Sequence, residues 1–167
     1  MELFLIFFVL SFVVAGLHLY RDKQFRTGRR IARILLLWLL VINVGLSGMW
    51  AFVGHTLFAE QVAESIGWPA GNPFQTEVAV ANLAIGALGI LCYWIRGNFW
   101  SAAVIATSIW LLGAATIHVR EIVVAGNYNP GNAGLIFILD ILNPLLLIVL
   151  LIYTGLHKNQ PTGQARV

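Results

Sequence analysis

The chain predicts an all-α fold: an integral membrane bundle of five transmembrane helices. Three observations carry that expectation. The 167 residues are 59% hydrophobic and only 10% charged, where a soluble domain carries about 25% charged residues. The apolar residues fall into five stretches, each close to the ~20 residues that a helix needs to cross a hydrocarbon core of ~30 Å. Six of the ten basic residues cluster at Arg21, Lys23, Arg26, Arg29, Arg30 and Arg33, as a cytoplasmic loop requires.

The elements follow in chain order. Span one covers about residues 3–20. Its MELFLIFFVLSFVVAGLHLY has Glu2 where a signal peptide is basic and no small-x-small cleavage pattern, so it reads as a retained span. Span two covers about 31–54. Its helical pattern runs on through HTLFAEQVAESI to Ile66, and a bend near Gly54 would lay residues 55–66 along the interface. Gly67 suits the position after a helix end, with Pro69 just beyond. Residues 55–72 thus form an outward hairpin. Span three covers 73–96. Asn72 suits the N-cap, Pro73 the first turn and Gln75 a capping box, and Gly97 suits the end. Span four covers 99–125 and stops at Gly126. NYNPGN is a turn-rich loop. Span five covers 133–156, followed by the polar tail HKNQPTGQARV. Together they make a single transmembrane helical domain over residues 1–167.

The basic loop places the N-terminus outside and the C-terminus in the cytoplasm, the arrangement of a multi-pass protein of the bacterial inner membrane. Residues 55–73 lack Lys and Arg, while Arg96, Lys158 and Arg166 fall on the cytoplasmic side; only Arg120 dissents. Trp50, Trp68, Trp94, Trp100 and Tyr128 fall near the expected interfaces. The net charge of +3 therefore reflects topology, with the lipid bilayer as partner and no nucleic acid. Gly45, Ser47, Gly48, Asn82, Gly86, Gly89 and Gly113 let helix backbones approach closely. Cys92 is the single cysteine, which rules out an intramolecular disulfide or thiol pair.

Polar residues inside spans need a partner or a task. His55 ends span two, Glu77 lies one turn into span three, His118 and Glu121 lie near the outer end of span four, and Asp140 lies about two turns into span five. Glu60 and Glu64 lie on the adjoining segment. His118 and Glu121, three residues apart, share a helix face, as do Asp140 and Asn143. His55 lines up with Phe58, Val62 and Ile66, away from Glu60 and Glu64. Asp140 is the deepest acid, and Pro144 frees its backbone carbonyl. Glu77, His118 and Asp140 are expected to converge with His55 nearby.

Imidazoles and carboxylates in this number suit a divalent metal ion: zinc, iron, manganese or copper held by His55, Glu77, His118, Glu121 and Asp140. The same residues suit an ion-pair and hydrogen-bond network with Arg120, or a proton or ion pathway. Haem is a further alternative, with an outer pair His55 and His118 and an inner pair His18 and His157, though the inner pair is more simply interfacial. No HExxH and no paired Glu-x-x-His is present.

The stretch AEQVAESIGWPAGNPFQTEVAVANLAIGALGIL resembles an uncharacterised family of small multi-pass bacterial membrane proteins of unknown function. The resemblance rests on Glu60, Glu64, Gly67-Trp68-Pro69, Gly71, Pro73-Phe74-Gln75, Glu77 and Ala81-Asn82, over roughly residues 55–92. It implies no activity, and it draws interest to His55, Glu60, Glu64, Glu77 and Asn82. Three functional expectations stand: a membrane protein with an outward site for a metal ion or small polar ligand, an accessory subunit of a larger complex or homo-oligomer, and a small transporter.

Overall fold

The computed structural model describes residues 2–22, 24 and 26–155; His157, Lys158 and Arg166 lie outside them. Its elements are α1 (Glu2–Arg21), α2 (Gly28–Trp38), a π-helical segment (Leu39–Leu46), α3 (Ser47–Leu57), α4 (Ala59–Ile66), α5 (Pro73–Leu91), α6 (Asn98–Ala125), α7 (Pro130–Ala133) and α8 (Leu135–Thr154). There is no strand among the described residues. Among the described residues, five helices are long and apolar enough to cross a membrane: Glu2–Arg21, Gly28–Leu57, Pro73–Leu91, Asn98–Ala125 and Pro130–Thr154.

One end of the bundle carries the basic residues. There Asp22 accepts from the Arg30 Nε at 2.7 Å and from the Gln24 amide at 3.1 Å, and Arg26 donates to the Leu19 carbonyl at 2.9 Å. The Gln24 N–H first, and the Arg30 guanidinium next, hold the Asp22 carboxyl below the usual carboxylate range. Thr27 caps α2 by accepting from Arg30 N at 3.2 Å.

The apolar core lies towards this basic end. Leu36, Leu39 and Leu40 of the second long helix pack with Trp100, Ala103 and Val104 of α6 and with Leu147 and Leu151 of α8. The second helix packs against α1, α5, α6 and α8. At its middle the π-helical segment places Asn43 inside the bundle, where its amide donates to Asn143 Oδ1 at 3.1 Å. Towards the other end, the backbones of α3 and α5 touch. A Cβ on Gly48 would lie 2.6 Å from Gly86 Cα.

Several expected boundaries move. The bend falls at Phe58 (φ −124°, ψ 33°) rather than Gly54. Gly54 stays helical and its carbonyl still accepts from Phe58 N at 3.2 Å. Gly67 takes the left-handed conformation, φ 82°. Trp68 N bonds to Ala63 O and Gly67 N to Glu64 O, each at 3.0 Å, which closes α4 as a Schellman motif. Asn72 caps α5 through Phe74 N at 2.9 Å. Gln75 does not complete a capping box; its amide nitrogen crosses the hairpin to Ala59 O at 2.7 Å. α5 ends at Leu91 instead of near Arg96. The indole N–H of Trp100 takes the Cys92 carbonyl at 2.9 Å, and Gly97 becomes the residue before α6. The fifth long helix breaks at Gly134, with α7 turned towards α4. A Cβ on Gly131 would lie 2.7 Å from the Ser65 carbonyl oxygen, so α7 lies against the backbone of α4.

Candidate functional site

The end of the bundle opposite the basic loop collects polar side chains from four elements. The α4–α5 hairpin supplies Trp68. Released from α4 by the Gly67 turn, its indole lies parallel to the His118 ring of α6, with centroids 6.3 Å apart and planes at 15°. Phe137 of α8 meets the same imidazole edge-on at 6.2 Å. His118 is 6% exposed and Asp140 9%. His118 Nε2 faces Asp140 Oδ2 at 3.6 Å.

The other imidazole nitrogen is held by α7, the short helix before α8. His118 Nδ1 lies 2.7 Å from Asn132 Oδ1. Asn132 is fully buried, and its amide nitrogen donates to Asn127 O at 2.8 Å, with His118 O at 3.5 Å. Asn127 in turn donates to Ile66 O at 2.9 Å and accepts from Asn129 N at 3.1 Å and Asn129 Nδ2 at 2.8 Å. A chain of amides thus runs from the end of α4, through the loop, to His118.

These partners determine a tautomer. The nitrogen of Asn132 faces carbonyl oxygens, so its oxygen faces His118 Nδ1, which must carry the hydrogen. In a neutral imidazole Nε2 is then an acceptor, and it points at a carboxylate. Two acceptors facing each other across 3.6 Å require a proton on one of them or a donor between them.

The remaining expected site residues are dispersed. Glu77 is exposed on α5 and does not turn towards the histidines. It lies nine residues from Gly86, which at 100° per residue puts it opposite the face that packs on α3. Glu60 and Glu64 are exposed on α4. Glu121 accepts from the exposed Arg120 at 3.3 Å. Asn82 bonds within α5 to Val78 O and accepts from Trp110 Nε1 at 3.2 Å. His55 Nδ1 lies 3.4 Å from Gln75 Nε2. Of the two histidines set aside as interfacial, His18 Nδ1 accepts from Trp38 Nε1 at 3.0 Å, and His157 lies outside the described residues. No group of three or more His, Cys, Asp or Glu side chains among the described residues is placed to hold a metal ion.

A family model matches residues 1–160. The chain belongs to DUF6790, a family of unknown function. The DUF6790 match takes in all five long helices, well beyond the hairpin on which the resemblance rested. No curated protein and no solved structure matches the chain.

Asn132, Asn127 and the stacking of Trp68 on His118 were not anticipated as parts of this cluster. The signal was three asparagines within Asn127–Asn132, more amide groups than a turn needs. The α4–α5 hairpin of this DUF6790 chain also walls an open cleft of about 290 Å³, lined by His55, Trp68, Phe74, Gln75 and Val78 among others.

Proposed function

We propose that this chain is a five-span protein of the bacterial cytoplasmic membrane, with its N-terminus outside, and that its outward-facing end binds a small polar ligand that donates hydrogen bonds to His118 and Asp140. The facing acceptors carry this reading. With Nδ1 committed to Asn132, Nε2 and the Asp140 carboxylate form a ready pair of acceptors for one small donor, and a single shared proton holds the pair when no ligand is bound. Burial under Trp68 and Phe137 raises the worth of such hydrogen bonds. The orientation rests on the clustering of Arg21, Arg26, Arg29, Arg30 and Arg33 at one end.

A phosphatase-type reporter that works only outside the cytoplasm should be active when fused after Glu2 or within the Asn127–Asn132 loop. Activity from a fusion at Gln164 would contradict the orientation.

The ligand reading is tested by thermal unfolding of purified protein against a panel of small hydrogen-bond donors, among them ammonium, methylamine, glycine and glycerol. A ligand present at 100 times its Kd stabilises by about 2.7 kcal/mol. At least one member should raise the wild-type midpoint and leave Asp140→Asn and His118→Ala unmoved. The side-chain amide introduced by Asp140→Asn can donate directly to His118 Nε2, so that variant should remain folded without ligand. If the panel has no effect and both variants only lose stability, the cluster is a tie between helix ends and the ligand reading fails.

A further inference from the structure

The basic end of the bundle carries more positive charge than the chain itself can balance. Arg21, Arg26, Arg29, Arg33 and Arg96 are exposed there, and Arg30 is partly buried. Of the seven Asp and Glu residues, only Asp22 lies at this end, and Arg30 takes it. Glu2 begins α1, about 30 Å of helix away from Arg21. Glu60, Glu64, Glu77, Glu121 and Asp140 stand towards the opposite end, on α4, α5, α6 and α8. Most of the balancing negative charge must therefore come from outside the chain.

Arg96 differs from the other exposed arginines in being held by aromatic rings. It lies in the short connection between α5 and α6. Its guanidinium carbon is 5.2 Å from the centre of the Trp100 ring and 5.8 Å from that of Tyr93, both within the ~6 Å of a cation–π contact. The platform is itself fixed. Trp100 is buried, and its indole N–H is committed to the Cys92 carbonyl at 2.9 Å. Tyr93 lies 6.0 Å from Trp38 of α2, whose indole donates to His18 of α1 at 3.0 Å. Three elements thus meet behind Arg96. Its own side-chain N–H groups donate to no acceptor among the described residues, so a planar fork of donors is preset and uncommitted.

The surroundings indicate what approaches it. Leu91, Tyr93, Trp94 and Ile95 are exposed beside Arg96, at the end of the helix Pro73–Leu91, which is long and apolar enough to cross a membrane. Tyr and Trp at the end of such a helix mark the level where hydrocarbon gives way to headgroups. A partner here meets apolar side chains on one side and a fixed cation on the other.

We infer that Arg96 and its aromatic platform bind the phosphodiester of an anionic phospholipid in the leaflet at the basic end. The guanidinium donates to two phosphate oxygens as a fork, the geometry that favours arginine over lysine. The acyl chains lie along Leu91, Trp94 and Ile95. A zwitterionic headgroup is disfavoured because its ammonium needs a carboxylate, and Asp22 is already paired. The remaining exposed arginines draw anionic lipid to this end, and Arg96 supplies the point of contact.

The test is calorimetric titration of the full-length protein in non-ionic detergent with dioctanoyl phosphatidylglycerol. Dioctanoyl phosphatidylcholine, with the same phosphodiester and chains but no net charge, is the first comparison, and inorganic phosphate the second. Saturable binding of phosphatidylglycerol is expected, with both comparisons at least tenfold weaker. Arg96→Gln should weaken phosphatidylglycerol at least tenfold. Arg96→Lys keeps the charge and loses the planar fork, and should weaken it threefold or more. Arg29→Gln removes an equal charge from the same end and should change binding less than twofold. No saturable binding to wild type, equal binding of phosphatidylcholine or inorganic phosphate, full binding by Arg96→Lys, or equal losses in Arg96→Gln and Arg29→Gln would overturn the assignment. None of these results bears on the response of His118 and Asp140 to small donors.

Discussion

Replacing Asn132 by leucine should lower stability by about 2–6 kcal/mol. Two buried groups lose their partners, the His118 Nδ1–H and the Asn127 carbonyl, and each unsatisfied group costs about 1–3 kcal/mol. Leucine matches the branching of asparagine without its polar atoms, so both hydrogen bonds are lost at a fully buried position. Asn132→Asp restores an acceptor for His118 and removes the donor to Asn127, so it should fall between wild type and leucine. Thermal unfolding of the purified proteins in detergent, followed by helical circular dichroism, provides the comparison. A leucine variant as stable as wild type would show that the loop from Asn127 to Asn132 does not hold the cluster.

The second large effect is expected at the contact between α3 and α5. Gly48→Leu should cost about 3 kcal/mol or more, at or above the upper end of the usual 1–3 kcal/mol for overpacking. The obstruction is backbone, since a Cβ there would lie 2.6 Å from Gly86 Cα and 2.7 Å from the Asn82 carbonyl oxygen, and backbone cannot adopt another rotamer. The two helices must separate, which also disturbs the hairpin that carries Trp68. Gly113→Ala is the matched control. Nothing lies within 4 Å of a Cβ there, and exchanging glycine for alanine within a helix is favourable by about 0.5–1 kcal/mol. Equal melting temperatures for Gly48→Leu and Gly113→Ala would remove close helix approach from the account.

What could be read from the sequence is what local chemistry decides. The five long apolar helices follow from composition. The ends at Gly67 and Gly126 and the start at Asn72-Pro73 follow from residues whose caps are satisfied within a few positions. The boundaries that moved are governed by distant partners. α5 stops early because Trp100, eight residues on, captures the Cys92 carbonyl. The fifth helix breaks at Gly134 where α7 is drawn onto Ser65 of α4. The π-helical segment has no local signature; in the folded chain it carries the bond from Asn43 to Asn143.

The site divides in the same way. His118 and Asp140 were recognisable because ionisable groups inside apolar helices need partners. Glu77 was misplaced because its facing depends on which small residues of α5 meet α3, and a single helix does not reveal that. Asn127 and Asn132 were read as turn residues because asparagine favours turns, and their role as a hydrogen-bonded support emerges only when α4 and α6 stand beside them.

The central claim is that Asn132 holds His118 with its hydrogen on Nδ1, leaving Nε2 to Asp140 and whatever donor lies between. Nitrogen-15 NMR of histidine-labelled protein in lipid bilayers measures this directly, with His118→Gln used to assign the signal. The account predicts a protonated Nδ1 whether the shared proton rests on Asp140 or on the ring, and an Nε2 signal that shifts in Asp140→Asn while Nδ1 stays protonated. A neutral His118 ring with its hydrogen on Nε2 and a bare Nδ1 would contradict it.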